Sequence, residues 1–189
     1  MPFNLPIFLT WLRILAIPLL VVVFYLPTGW LLPHSRDLLA VGLFVAASAT
    51  DWLDGYLARR LGQTSAFGAF LDPVADKLLV ATALIVLVDL ERASAVASAI
   101  IIGREITISA LREWMAKVGA SKSVAVSLVG KFKTAAQMAA ITLLLYASPL
   151  GGIDCTRIGE ILLWVAALLT LWSMGYYLKK AWPELARHA

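Results

Sequence analysis

Six stretches of this chain, at about 7–26, 37–58, 70–89, 94–113, 128–147 and 157–178, are apolar enough and long enough to cross a lipid bilayer. A span needs roughly 20 apolar residues, because the hydrocarbon core is about 30 Å thick and a helix rises about 1.5 Å per residue. Hydrocarbon offers no partner for backbone N–H and C=O groups, so such stretches are expected to be helices. The reading is an all-α integral membrane protein: six transmembrane helices in one polytopic domain, 1–189. Composition agrees, with 61% apolar and 15% charged residues, against about half and a quarter in soluble domains. The 7 Trp residues fit anchoring at the membrane interface. Pro27, Gly29, Pro33, Gly62, Gly119, Pro149, Gly151 and Gly152 punctuate short connections. Arg13, Pro18 and the lack of a small-residue cleavage site make the first stretch a retained span rather than a signal peptide. Cys155 stands alone, so it is expected to be an inert thiol in a short loop. The net charge of +4 is carried by no basic polar domain, which excludes nucleic acid as a partner.

Lysine and arginine placement sets the expected orientation. Arg59 and Arg60 lie in the second connection, and Lys117 and Lys122 in the fourth, with Arg112, Lys131 and Lys133 at its edges. Lys179, Lys180 and Arg187 follow the last span, whereas the odd connections hold only Arg36, Arg92 and Arg157. The positive-inside rule then puts both termini and the even connections in the cytoplasm.

The apolar runs are interrupted, and always toward that same side. Leu38–Thr50 is clean before Asp51 and Asp54 arrive; Asp72, Asp76 and Lys77 precede the clean run Leu78–Val88. Arg104 and Glu105 sit toward the inner end of the fourth span, and Lys131 and Lys133 open the fifth. Taken singly, Lys77, Glu160 or Arg13 reads as a residue snorkelling to the headgroups. Charges converging on one level from four helices read instead as a polar cavity with a function. Asp51, Asp54, Gly55 and Ala58 share one helix face, as do Gly68, Asp72 and Asp76. An antiparallel hairpin around 60–66 would bring these two faces together. Carboxylates so gathered repel one another, and a hard divalent cation resolves the conflict because it binds carboxylate and phosphate oxygens together. Asp72 before Pro73 also has the form of an N-cap and first-turn pair.

These residues, Asp51-x₂-Asp54-Gly55-x₂-Ala58-Arg59-x₈-Gly68-x₃-Asp72-x₃-Asp76, resemble the complete signature of the CDP-alcohol phosphotransferases. The resemblance implies a transferase of phospholipid biosynthesis with the family's helical bundle, commonly a homodimer, here in a bacterial inner membrane with its active site cytoplasmic. It implies that Asp51, Asp54, Asp72 and Asp76 bind two ions, Mg²⁺ or Mn²⁺, which bridge the CDP diphosphate. It implies further that Asp76 deprotonates the acceptor, that Gly55 and Ala58 border the cytidine, and that Arg59 pairs with phosphate. Asp54 and Gly68 complete the expected contacts to the CDP-lipid.

Three further segments resemble the members of the family that make phosphatidylglycerophosphate from CDP-diacylglycerol and sn-glycerol 3-phosphate. They are Asn4-Leu5-Pro6 with Thr10 and Arg13, Gly103-Arg104-Glu105-Ile106 with Ala110-Leu111-Arg112, and Gly130-Lys131-Phe132-Lys133-Thr134 with Gln137. A phosphorylated acceptor needs a cationic seat, which Arg104, Arg112, Lys131 and Lys133 are expected to supply, with Glu105 orienting Arg104 or Arg112. Serine, inositol phosphate and phosphatidylglycerol are the rival acceptors. A divalent-cation transporter is the rival class, since intramembrane carboxylates also line ion paths. Against it, the charges gather on one side, with no polar ladder through the other half.

Overall fold

The computed structural model describes residues 5–27, 29–61, 66–118 and 128–188. Six helices account for nearly all of them: α1 (Leu5–Tyr25), α2 (Pro33–Leu61), α3 (Ala66–Asp89), α4 (Ala95–Lys117), α5 (Leu128–Tyr146) and α6 (Cys155–His188). The described residues contain no strand, only a bridge between Leu150 and Ile153. The shortest helix, α5, has 19 residues, which at about 1.5 Å each gives about 28 Å.

The helices run past the expected spans for identifiable reasons. α2 begins at Pro33, where a residue without an N–H costs nothing because the first amides of a helix are unpaired anyway. α3 begins at Ala66, so Pro73 lies inside it and Asp72 is a helical residue rather than the N-cap its sequence context allows. Ser94 caps α4, its hydroxyl accepting from the Ala97 amide at 3.4 Å. α6 starts at Cys155 and continues to His188, well beyond the apolar stretch, because an apolar window marks the lipid and not the end of the helix. Cys155 is thus the buried first residue of a helix and not part of a loop.

Two stretches, Ile7–Tyr25 with mean hydropathy 2.5 and Cys155–Pro183 with 1.7, are long and apolar enough to cross a membrane on their own composition. The intervening helices carry the charges that interrupt their apolar runs. The molecule is apolar outside: Leu15, Leu19, Ile85, Phe132, Leu168 and Trp172 are all exposed. Its interior includes Thr10, Arg13, Asp37, Arg104, Lys133, Gln137 and Thr170. Soluble proteins rarely leave apolar patches of this extent open, so the surface is one made for lipid.

The helices close into a ring. α1 packs against α2 and α3, α2 against α5, α5 against α6, α6 against α4, and α4 back against α3. α2 and α3 also touch each other, and the first helix, bearing a cation, lies against both. The core runs through Leu20, Phe44, Leu79, Leu84, Ile101, Ile141, Leu144 and Leu163, all nearly inaccessible. At the end away from the motif aspartates, Arg92 grips Asp37 with both terminal nitrogens, at 2.8 and 3.3 Å, and reaches the Leu145 carbonyl at 3.2 Å. Tyr25 donates to Asp89 at 2.6 Å, and Arg36 to the Leu26 carbonyl at 2.8 Å. That end is tied by side chains across four helices.

Candidate active site

Alternating helix direction brings the start of α1, the end of α2, the start of α3, the inner part of α4, the start of α5 and the later part of α6 to one end of the bundle. Two polar clusters form there. The first is built on α1. Thr10 and Arg13 are three residues apart and share a face. Thr10 Oγ1 donates to Asp72 Oδ1 at 2.6 Å, and Arg13 Nη1 donates to Asp51 Oδ1 at 2.8 Å. Arg13 Nε also reaches the Ala47 carbonyl at 3.3 Å. One turn of α1 thus holds an aspartate from each of two other helices. The expectation that Arg13 snorkels to the headgroups is wrong: its side chain is wholly buried, while Asp51 is 48% exposed. Burying that charge is tolerable because it is paired and hydrogen-bonded.

Asp76 lies one turn beyond Asp72 on α3, within electrostatic range of Asp51, Arg13, Lys77 and Glu105. Among the described residues no three acidic, histidine or cysteine side chains are poised on one ion. The side chains of Asp54, Gly55, Ala58 and Arg59 lie outside the described residues, so the visible half of the motif is Asp51, Gly68, Asp72 and Asp76. Gly68 is buried near the start of α3. Asp51 and Asp72 each commit Oδ1 to α1, which leaves the second oxygen of each as a hard anionic donor. That is the donor chemistry Mg²⁺ and Mn²⁺ take.

The second cluster is basic. Glu105 accepts from both Arg104 Nη1, at 3.2 Å, and Lys133 Nζ. Arg104 Nη2 donates to Ser173 Oγ at 3.2 Å, and that hydroxyl donates to the Thr170 carbonyl at 2.9 Å. Arg112 does not meet Glu105; its Nη2 approaches the Tyr177 hydroxyl at 3.5 Å. The Tyr177 ring carries both guanidinium groups, Arg104 at 5.6 Å and Arg112 at 5.4 Å from its centroid. Arg104, Arg112 and Lys133 are therefore brought together as expected, whereas the side chain of Lys131 lies outside the described residues. Glu105 orients Arg104 and Lys133, not Arg112. Sequence reasoning missed Tyr177 and Ser173, because an aromatic and a serine on the last span read as an interfacial belt and ordinary packing.

Asp76 and Glu105 share a cavity. Asp76 and Lys77 of α3, Glu105 of α4, and Thr134 and Gln137 of α5 line a small hollow between the acidic and basic groups. A separate apolar crevice between α3 and α4, lined by Leu78, Ala81, Ile102 and Ile106, runs up to Lys77 and Glu105 from the outer surface.

Comparison with known proteins agrees with this arrangement. The family model for CDP-alcohol phosphatidyltransferase matches residues 3–172. The chain is 49% identical over 187 residues, 98% of both chains, to the CDP-diacylglycerol–glycerol-3-phosphate 3-phosphatidyltransferase of Salmonella choleraesuis (strain SC-B67). It is 49% identical to the protein of that name from Shigella flexneri serotype 5b and 47% identical to the one from Yersinia pestis (strain Pestoides F), again over 98% of each chain. With Asp51 and Asp72 each held by α1, and a match over nearly its whole length, the chain belongs to the CDP-alcohol phosphatidyltransferase family.

Proposed function

We propose that this protein transfers the phosphatidyl group of CDP-diacylglycerol to sn-glycerol 3-phosphate, releasing CMP and leaving phosphatidylglycerophosphate in the membrane. The observation that carries the reading is that Asp76 and Glu105 line one cavity, because Glu105 anchors Arg104 and Lys133. An acceptor phosphate held by those cations has its hydroxyl end directed toward a carboxylate. The names and near full-length likeness of the relatives support the same acceptor.

In this reading Arg104, Arg112, Lys131 and Lys133 seat the acceptor phosphate, and Tyr177 holds the two arginines in place. Asp76 takes the proton from the 1-hydroxyl, whose oxygen attacks the β-phosphorus as the bond to CMP breaks. Arg59 pairs with the diphosphate through its bidentate fork, while Gly55, Ala58 and Gly68 leave room for the nucleotide. Asp51, Asp54, Asp72 and Asp76 hold two divalent ions, Mg²⁺ or Mn²⁺, which when bound neutralise the diphosphate and favour both attacking and leaving oxygens. The crevice between α3 and α4 lets the lipid approach sideways with its acyl chains outside. The whole chain forms one domain of six spans in a bacterial inner membrane, with termini and site on the cytoplasmic side, and works as a homodimer.

Purified protein given CDP-diacylglycerol in detergent micelles tests this. CMP release is expected with glycerol 3-phosphate, to stop with Asp76→Asn, and to need a divalent ion that chelation removes. Faster release with serine or phosphatidylglycerol overturns the acceptor, and undiminished release by Asp76→Asn overturns the site.

A further inference from the structure

The cavity between the two clusters contains a polar side chain that the reaction described above leaves without work. Gln137 of α5 is 5% exposed and lines that cavity beside Asp76, Glu105 and Thr134. Its Oε1 has no hydrogen-bond partner among the described residues. A buried amide oxygen without a donor is destabilising, which a protein tolerates where a ligand completes the bond. Its neighbour Thr134 turns its own hydroxyl back to the Gly130 carbonyl at 3.0 Å, so Thr134 is not the missing donor. Lys133, one turn earlier on α5, is bound to Glu105.

We infer that Gln137 reads the second hydroxyl of a vicinal diol, and so selects acceptors that carry a hydroxyl next to the one that reacts. An alcohol with its reacting oxygen at Asp76 and its phosphate toward Arg104 and Lys133 has its middle carbon within the stretch of cavity that Gln137 lines. An amide matches a hydroxyl there, since it offers an acceptor and donors to a group that is both. A site built to bond a hydroxyl rejects the analogue lacking it, because the buried partner is then left unpaired. Gln137 in this role is a specificity residue; the acid–base work stays with Asp76.

The inference rests on the acceptor reading above, and the test separates the two. Purified wild-type protein and Gln137→Leu are assayed for CMP release from CDP-diacylglycerol with glycerol 3-phosphate and with 3-hydroxypropyl phosphate, which lacks the middle hydroxyl. The wild type is expected to prefer glycerol 3-phosphate by tenfold or more in kcat/KM. Gln137→Leu is expected to bring the ratio near one, chiefly by raising KM for glycerol 3-phosphate, with KM for CDP-diacylglycerol unchanged. A ratio in the variant equal to that of the wild type overturns the inference. So does a wild type that uses both acceptors equally, a result that needs no variant to fold. If the wild type uses neither phosphate acceptor, the acceptor reading falls and this inference with it. Gln137→Glu provides a second variant of nearly the same shape. Its carboxylate repels the phosphate that both acceptors carry and is expected to slow both. It still accepts from the middle hydroxyl, so a preference for glycerol 3-phosphate is expected to survive in it, and its loss there overturns the inference.

Discussion

A single arginine decides whether the acidic site can exist. Among the described residues Arg13 is the largest fully buried side chain, and its bonds include those to Asp51 and to the Ala47 carbonyl. Hydrogen bonds to charged groups contribute about 1.5–3 kcal/mol each, so losing the guanidinium unsettles both the position of Asp51 and the contact between α1 and α2. Arg13→Gln is therefore expected to lower kcat for CMP release at least about tenfold, since 1.4 kcal/mol is a factor of ten, and to lower the melting temperature. Arg13→Lys keeps the charge but not the fork, and is expected to recover only part of the rate. Wild-type turnover in Arg13→Gln would show that α1 merely packs. The second residue-scale device is Tyr177, 2% exposed, whose ring faces two like charges at once. Each cation–π contact is about 0.5–2 kcal/mol. Tyr177→Leu should raise KM for glycerol 3-phosphate roughly fivefold, leaving KM for CDP-diacylglycerol alone, while Tyr177→Phe, which keeps the ring, stays near wild type. Equal shifts in both KM values would mean that Tyr177 supports the whole bundle rather than the arginines.

Among the helices, α6 comes close to α5, and a glycine permits it. A Cβ placed at Gly159 would lie 2.8 Å from Leu144 Cγ and 3.2 Å from the Ala140 carbonyl. Leu144 is fully buried and has nowhere to retreat. Gly159→Val should therefore lower stability by about 1–3 kcal/mol, the range for overpacking, seen as a lower melting temperature in detergent. An unchanged melting temperature would mean that the α5–α6 seam can open. Small residues have this use throughout membrane bundles, where close backbone approach replaces the hydrophobic drive. How far such features were legible in the sequence differs by element. The six apolar stretches foretold six helices, and the interrupting charges foretold which end of them would be polar. The motif spacing put Asp72 and Asp76 on one face, as observed. What the sequence hid was neighbourhood: α1 lies against both α2 and α3, and nothing in the local pattern of α1 reports that Thr10 and Arg13 reach two other helices. Gln137 and Tyr177 were equally opaque, because a lone amide or aromatic on an apolar helix acquires meaning only from what the other helices place beside it.

For the molecule as a whole, the ring solves an insertion problem. α1 and α6 are apolar enough to enter a bilayer by their own composition, but the helices between them bring charges that cost about 2.5–3.5 kcal/mol or more each at the bilayer centre. Assembly turns such charges inward, Arg104 of α4 at 8% exposed and Lys133 of α5 at 4%, together with Arg13 of α1 itself at 1%. The exposed residues include many large apolar ones, such as Leu15, Leu168, Phe132 and Trp172. The buried cations Arg13, Arg104 and Lys133 lie toward one end, while the buried carboxylate of Asp37, paired with Arg92, lies at the other. Such an arrangement has a definite sidedness. With the basic end in the cytoplasm, Lys117 belongs inside and Leu150, in the turn between α5 and α6, belongs outside; both are exposed. In a Cys155→Ala background, a membrane-impermeant maleimide should label Leu150→Cys in spheroplasts with intact inner membranes, and Lys117→Cys only after the membrane is opened. The buried thiol of Cys155 should resist labelling on either side until the protein is unfolded. Labelling of Lys117→Cys in intact spheroplasts would invert the orientation. It would also place the basic cluster on the face away from the cytoplasm.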